Sequence, residues 1–74
     1  MRIKTIVTGV AGRMGRQVAA ALTREPDMQL VGGVDLTMQS ITLNADETEY
    51  PLKVTTDLPA LIAKTHPNVL VDFT

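Results

Sequence analysis

Apolar and β-branched residues run almost unbroken from Ile3 to Thr8, from Met28 to Val34 and from Val69 to Phe73. Runs this short and this continuous predict buried strands of a parallel sheet, although Gly32 and Gly33 weaken the second one. Between the first two runs, Met14, Val18, Ala21 and Leu22 recur at helical spacing. They predict a helix from Gly12 to about Arg24 whose apolar stripe, Met14 included, faces the core. Ala19, Ala20 and Ala21 favour that helix and Pro26 stops it. A shorter helix is expected to end near Lys64, capped by Thr56 or Asp57, with Pro59 tolerated in its first turn. Leu36 to Glu49 shows no clear period and carries Asp46, Glu47 and Glu49; it reads as a surface loop with a solvated acidic bend. Pro51 to Thr55 reads as a short extended segment, and His66-Pro67-Asn68 as a turn.

Alternating β and α elements imply an α/β fold with a parallel sheet and helices on its faces. The first strand should lie centrally, between the second and the last, with Ile6, Val7, Val31, Val34, Leu70 and Val71 buried. Three or four strands make only part of a doubly wound sheet. Residues 1–74 therefore read as a partial domain, truncated after its third or fourth strand, with further chain expected beyond Thr74.

The junction of the first strand and first helix carries Gly9-Val10-Ala11-Gly12-Arg13-Met14-Gly15, and Asp35 follows twenty residues after Gly15. Strand, glycine turn, helix, strand and carboxylate is the order of a Rossmann-like dinucleotide-binding unit. Gly9 would allow a sharp turn with an unusual φ. Gly12 would let backbone approach a pyrophosphate, and Gly15 would let the helix lie close on the strand. The helix N-terminus offers unpaired N–H donors and partial positive charge to the phosphates, and Asp35 would accept from an adenosine ribose. The bland alternatives are a tight turn without ligand and a solvated strand-end carboxylate. Arg13 is either a phosphate contact or an exposed first-turn arginine, and Arg16 reads as a solvated helix residue. Asp72, at the carboxyl end of the last strand, stands on the site side, with orientation of the next loop as its simplest role.

Composition narrows the field. At 74 residues the chain is shorter than a typical domain of roughly 100–150 residues. With no cysteine, neither disulfides nor thiolate metal sites support the core. Apolar residues make up 45%, charged residues 20%, and the net charge is −1. No basic cluster or aromatic ladder points to nucleic acid, no apolar run approaches a membrane span, and the first residues do not resemble a signal peptide. A cytoplasmic location is the expectation. The acidic residues lack the spacing of a metal loop. His66, the only histidine, falls in a turn ahead of the last strand, away from the glycine turn, and is not expected to be catalytic.

Taken together, Arg13-Met14-Gly15 and Val71-Asp72-Phe73-Thr74 make the chain resemble the N-terminal part of the dihydrodipicolinate reductase family. The likeness runs from Ile3 to Thr74 and is weakest over Thr37 to Asp57. It implies a cofactor loop formed by Gly9, Val10, Ala11, Gly12, Arg13 and Met14, a ribose-binding Asp35, and Phe73 and Thr74 near the nicotinamide. It further implies reduction of 4-hydroxy-tetrahydrodipicolinate by NADH or NADPH in diaminopimelate and lysine biosynthesis, and a homotetramer built through a second domain. The family's His-His pair with lysine and its Gly-Thr-Thr loop have no counterpart here, so no catalytic residue is assigned and these residues alone should be inactive. Some relatives follow the acidic residue with an arginine for the 2′-phosphate; Leu36 stands there, which argues against strict NADPH use. Two rivals share the turn pattern: the nucleotide-binding half of an extended short-chain dehydrogenase or epimerase, and a non-catalytic module that senses NAD.

Overall fold

In the computed structural model, which describes residues 2–74, five strands and two helices follow one another as β1 (Ile3–Thr8), α1 (Arg13–Thr23), β2 (Met28–Val34), β3 (Gln39–Ala45), β4 (Thr48–Thr55), α2 (Leu58–Thr65) and β5 (Val69–Asp72). They form one sheet in the order β3-β4-β2-β1-β5. β1 pairs in parallel with both β2 and β5, as the apolar runs require, and β2 pairs in parallel with β4. The fold is α/β with a largely parallel sheet, and β1, buried from Thr5 to Thr8, lies between β2 and β5 as expected.

The segment read as a loop from Leu36 to Glu49 is instead mostly β-structure, which raises the strand count to five. β3 and β4 form an antiparallel hairpin from Gln39↔Val54 to Ala45↔Thr48, joined by Asp46 and Glu47 at φ 50° and 67°. Two consecutive positive φ values give the turn a twist that matches the strands it joins. Ile41, Leu43 and Ala45 point into the core while Ser40, Thr42 and Asn44 face out. Pro51 lies within β4, but the β2–β4 pairing starts only at Gly33↔Val54. At Pro51 the strand is therefore an edge on that side, and the missing N–H costs no ladder bond there.

Gly32 and Gly33 do more than weaken β2. Successive strand residues face opposite sides of the sheet. A Cβ on Gly32 would stand 2.6 Å from the Leu61 side chain of α2, and one on Gly33 would stand 2.8 Å from that of Val10. Val10 joins Ala19 and Leu22 of α1 with Val7, Ile41, Leu43 and Val54 in the core. The two helices thus cover opposite faces; Gly32 makes room for Leu61 of α2, and Gly33 makes room for Val10 and Leu52 of the core on the α1 side. Helix α2 starts as expected: Asp57 accepts a hydrogen bond from Ala60 N–H at 3.0 Å, and Pro59 falls in the first turn.

Two core expectations are corrected. Leu70 is 40% exposed, because α1 packs mainly on β1, β2 and β3 and α2 mainly on β2, and β5 lies at the sheet edge. Met14 is 58% exposed: it lies in the first turn of α1, above the carboxyl edge of the sheet rather than over it. Val31 and Val71 are half-buried, and Ile6, Val7 and Val34 are buried.

Candidate functional site

The chain leaves β1, crosses by α1 to β2 on one side, and later returns by α2 to β5 on the other. Such a reversal of strand order leaves a crevice outside the carboxyl ends of β1 and β5, where ligands of open α/β sheets bind. The glycine turn occupies that place. Gly9 has φ +67°, and a Cβ on it would stand 2.9 Å from the Phe73 carbonyl carbon. Left-handed backbone and close packing both demand glycine. A Cβ on Gly15 would stand 2.2 Å from the Gly9 carbonyl oxygen and 2.8 Å from Val10 Cα, so only glycine lets α1 approach this closely.

Gly12 differs. Its φ of −74° suits any residue, and its nearest obstacle to a Cβ is the Gly9 oxygen at 3.4 Å, an ordinary contact. Nothing in the fold itself requires glycine there. An exposed glycine with no internal reason, at the start of a helix, leaves room for something outside to approach the backbone.

The loop's own donors are largely spoken for. Val10 N–H donates to Val34 O at 3.3 Å and Gly12 N–H to Gly9 O at 3.2 Å. Ala11 N–H donates to Asp35 Oδ2 at 2.8 Å. Helical bonding resumes with Arg16 N–H to Gly12 O, which leaves the N–H groups of Arg13, Met14 and Gly15 without helical acceptors. Gly12 carries no side chain to cap them. Those of Arg13 and Met14, in exposed residues, are the donors best placed for an anion, and the helix dipole favours one there. Val10 contributes to this arrangement only through its backbone, because its side chain is fully buried.

Asp35 stands where the sequence spacing puts it, just past β2, and the structure brings it against the glycine turn. Its Oδ2 accepts from Ala11 and its Oδ1 accepts from Leu36 N–H at 2.8 Å, while its own N–H donates to Thr55 O at 3.1 Å. Each carboxylate oxygen keeps a further lone pair. The group is therefore fixed and still able to accept from a diol. Arg13 is exposed at the helix start. Arg16 is exposed, as expected, but not merely solvated: its Nε donates to Ala11 O at 3.2 Å and braces the loop from behind.

Beyond Gly9 lies the end of β5. Asp72 Oδ1 accepts from Thr8 Oγ1 at 2.6 Å, Thr74 Oγ1 at 2.5 Å and Thr74 N–H at 2.9 Å. The Thr74 and Thr8 hydroxyls, with the Thr74 amide, hold the Asp72 carboxyl down to about 2. The part of Thr8 here was not read from the sequence; a threonine ending a buried strand beside a strand-end aspartate was the available signal. His66 is exposed and caps α2 in left-handed conformation at φ 49°, ahead of β5. It is thus at the amino end of that strand, away from the glycine turn.

A groove of about 380 Å³ between α2 and the β2–β4 side, lined by Met38, Leu52, Leu61 and Lys64 among others, shares no residue with the glycine turn. Among the described residues no group of three or more His, Cys, Asp or Glu side chains could hold a metal ion, and no helix is long and apolar enough to cross a membrane.

The chain is 35% identical to 4-hydroxy-tetrahydrodipicolinate reductase of Dehalococcoides mccartyi over 72 residues, covering 97% of this chain and 27% of that protein. It is 38% identical to the enzyme of that name from Moorella thermoacetica over 74 residues, covering 97% and 28% respectively. With the Bacillus velezensis protein of the same name it shares 34% over 73 residues, covering 97% and 27%. The chain thus spans little more than a quarter of the length of these curated relatives. The family model described as dihydrodipicolinate reductase, N-terminus, matches residues 3–74, and the chain accordingly belongs to the dihydrodipicolinate reductase family, as its N-terminal part.

Proposed function

We propose that these residues form the nicotinamide dinucleotide-binding part of a 4-hydroxy-tetrahydrodipicolinate reductase. The observation that carries the proposal is Gly12: an exposed glycine with no conformational need, at an uncapped helix N-terminus, 23 residues before a carboxylate bonded to the same loop. The arrangement suits a dinucleotide lying across the carboxyl ends of β2, β1 and β5. Asp35 accepts the adenosine ribose hydroxyls, and the Arg13 and Met14 amides receive the pyrophosphate. The nicotinamide half then extends past Phe73 and Thr74. Gly9, Val10 and Ala11 shape the loop rather than donate to the phosphates. Arg13 adds a side-chain cation within reach of the same phosphates.

When bound, the dinucleotide supplies the hydride; this chain's residues orient it. Hydride transfer also needs a substrate held at near-attack distance and a proton source, which we assign to the second domain of the full-length protein. That protein is read as cytoplasmic and as a homotetramer assembled through the second domain. The family membership favours this reading over a short-chain dehydrogenase or an NAD-sensing module. Leu36 after Asp35 offers no charge to a 2′-phosphate, so both NADH and NADPH are accepted.

The test is absorbance-monitored oxidation of NADH and NADPH by the full-length protein with 4-hydroxy-tetrahydrodipicolinate. Turnover is expected with either cofactor, with a preference no larger than about tenfold, roughly 1.4 kcal/mol, and none is expected from residues 1–74 alone. A hundredfold NADPH preference would refute the Leu36 argument and promote Arg13; absence of turnover in the full-length protein would refute the assignment.

A further inference from the structure

The β1–β5 ladder ends at the pair Thr8↔Asp72, the two residues flanking the crevice at the reversal of strand order. Thr8 is 5% exposed, and a buried hydroxyl needs a partner. It finds Asp72 at 2.6 Å, on the same oxygen that accepts both donors of Thr74. One carboxylate oxygen therefore ties the last residue of β1 to a residue beyond β5. Phe73, between them, donates its N–H to Thr8 O at 3.1 Å, and its carbonyl lies against the face of Gly9 where a Cβ would otherwise stand. We propose that Asp72 is a positioning residue for the dinucleotide, clamping the Phe73–Thr74 turn against the glycine loop so that the crevice between β1 and β5 keeps the shape the nicotinamide half needs.

This inference rests on the cofactor reading above and adds to it a residue that touches no cofactor atom. Three donors stabilise the ionised carboxylate well below neutral pH, so the clamp is closed throughout the physiological range. Its action is local. The adenosine end is held by Asp35, on the far side of β1, through bonds that share no atom with those of Asp72.

The clamp therefore predicts a selective loss, read by titrating the full-length protein with NADH and, separately, with adenosine 5′-monophosphate. Asp72→Ala and Thr8→Val should each weaken NADH binding by about tenfold, the scale of one lost hydrogen bond to a charged group. Adenosine 5′-monophosphate, which reaches Asp35 and the start of α1 but not the Phe73–Thr74 turn, should change by no more than about twofold. Asp72→Asn, which keeps an oxygen acceptor for Thr8 and Thr74, should recover most of the loss. Thr8→Val keeps the side-chain shape, so it carries the test if Asp72→Ala fails to fold. Equal weakening of both nucleotides would mean a general structural role and overturn the proposal, as would undiminished NADH binding in Asp72→Ala and Thr8→Val. A wild-type protein that binds neither nucleotide would overturn the cofactor reading, and this inference with it.

Discussion

Replacing Gly12 by alanine separates what the fold needs from what a ligand needs. The new methyl would meet the Gly9 oxygen at 3.4 Å and nothing nearer, and φ at −74° is already that of an ordinary residue. Alanine caps a helix less well than glycine, a cost of about 0.5 kcal/mol. The gain from a less flexible unfolded chain is about 0.4–1 kcal/mol. Stability should therefore move by less than about 0.5 kcal/mol in either direction. Binding should not be spared, because the methyl occupies the space through which a pyrophosphate reaches the Arg13 and Met14 amides. Pushing that group back should cost about 1–3 kcal/mol, the usual scale of overpacking, or roughly 5- to 150-fold in NADH affinity. Gly15→Ala is the contrasting control. Its methyl would sit 2.2 Å from a backbone oxygen, so α1 must lift off β1. The gain in helix propensity of about 1 kcal/mol falls short of that strain, and stability itself should drop. Urea unfolding and NADH titration of the two full-length variants give the comparison. A Gly12→Ala protein that binds NADH as tightly as wild type would refute the placement of the phosphates; one that unfolds as readily as Gly15→Ala would refute the claim that the fold has no use for this glycine.

Asp35→Ala should weaken NADH binding by about 1.5–3 kcal/mol and lower stability somewhat, since Ala11 N–H loses its acceptor; calorimetric titration with unchanged affinity would exclude the ribose contact. Thr5 is fully buried and its hydroxyl has no partner among the described residues, so Thr5→Val should stabilise the protein by about 1 kcal/mol in chemical unfolding. Asp72 titrates at about 2 in the folded chain against 3.8 for an unperturbed group. A lowered folded-state value stabilises above the unfolded one and fades as pH falls through the folded one. The stability advantage of wild type over Asp72→Asn should thus be full above pH 4 and shrink between pH 4 and pH 2; an advantage that grows in that interval would contradict the assigned bonds.

The elements that were legible in the sequence are those whose burial leaves an unmistakable trace. Ile3–Thr8 is apolar or β-branched nearly throughout because β1 lies between β2 and β5 and is buried from Thr5 to Thr8, and Asp57 and Pro59 mark the start of α2 by their chemistry alone. The hairpin was hidden because only one of its faces is buried and its turn lacks glycine. The trace was present all the same: Ser40 to Ala45 alternate polar and apolar with the period of a strand, and Ile41, Leu43 and Ala45 are the residues that end up buried. Leu70 misled because its hydrophobicity says nothing about which faces a helix will cover. At the site, glycine spacing identified the turn and Asp35, but not which amides stay free. That depends on the Asp35–Ala11 and Val34–Val10 bonds, which join residues 24 apart and exist only once β2 lies beside β1.

The most direct measurement is a crystal structure of the full-length protein with NADH. The account predicts a pyrophosphate within hydrogen-bond distance of the Arg13 and Met14 amides, over Gly12, ribose hydroxyls on Asp35, and the nicotinamide leading past Phe73 and Thr74. A dinucleotide seated elsewhere, in the groove beside α2 for instance, or one whose phosphates do not touch the start of α1, would contradict it.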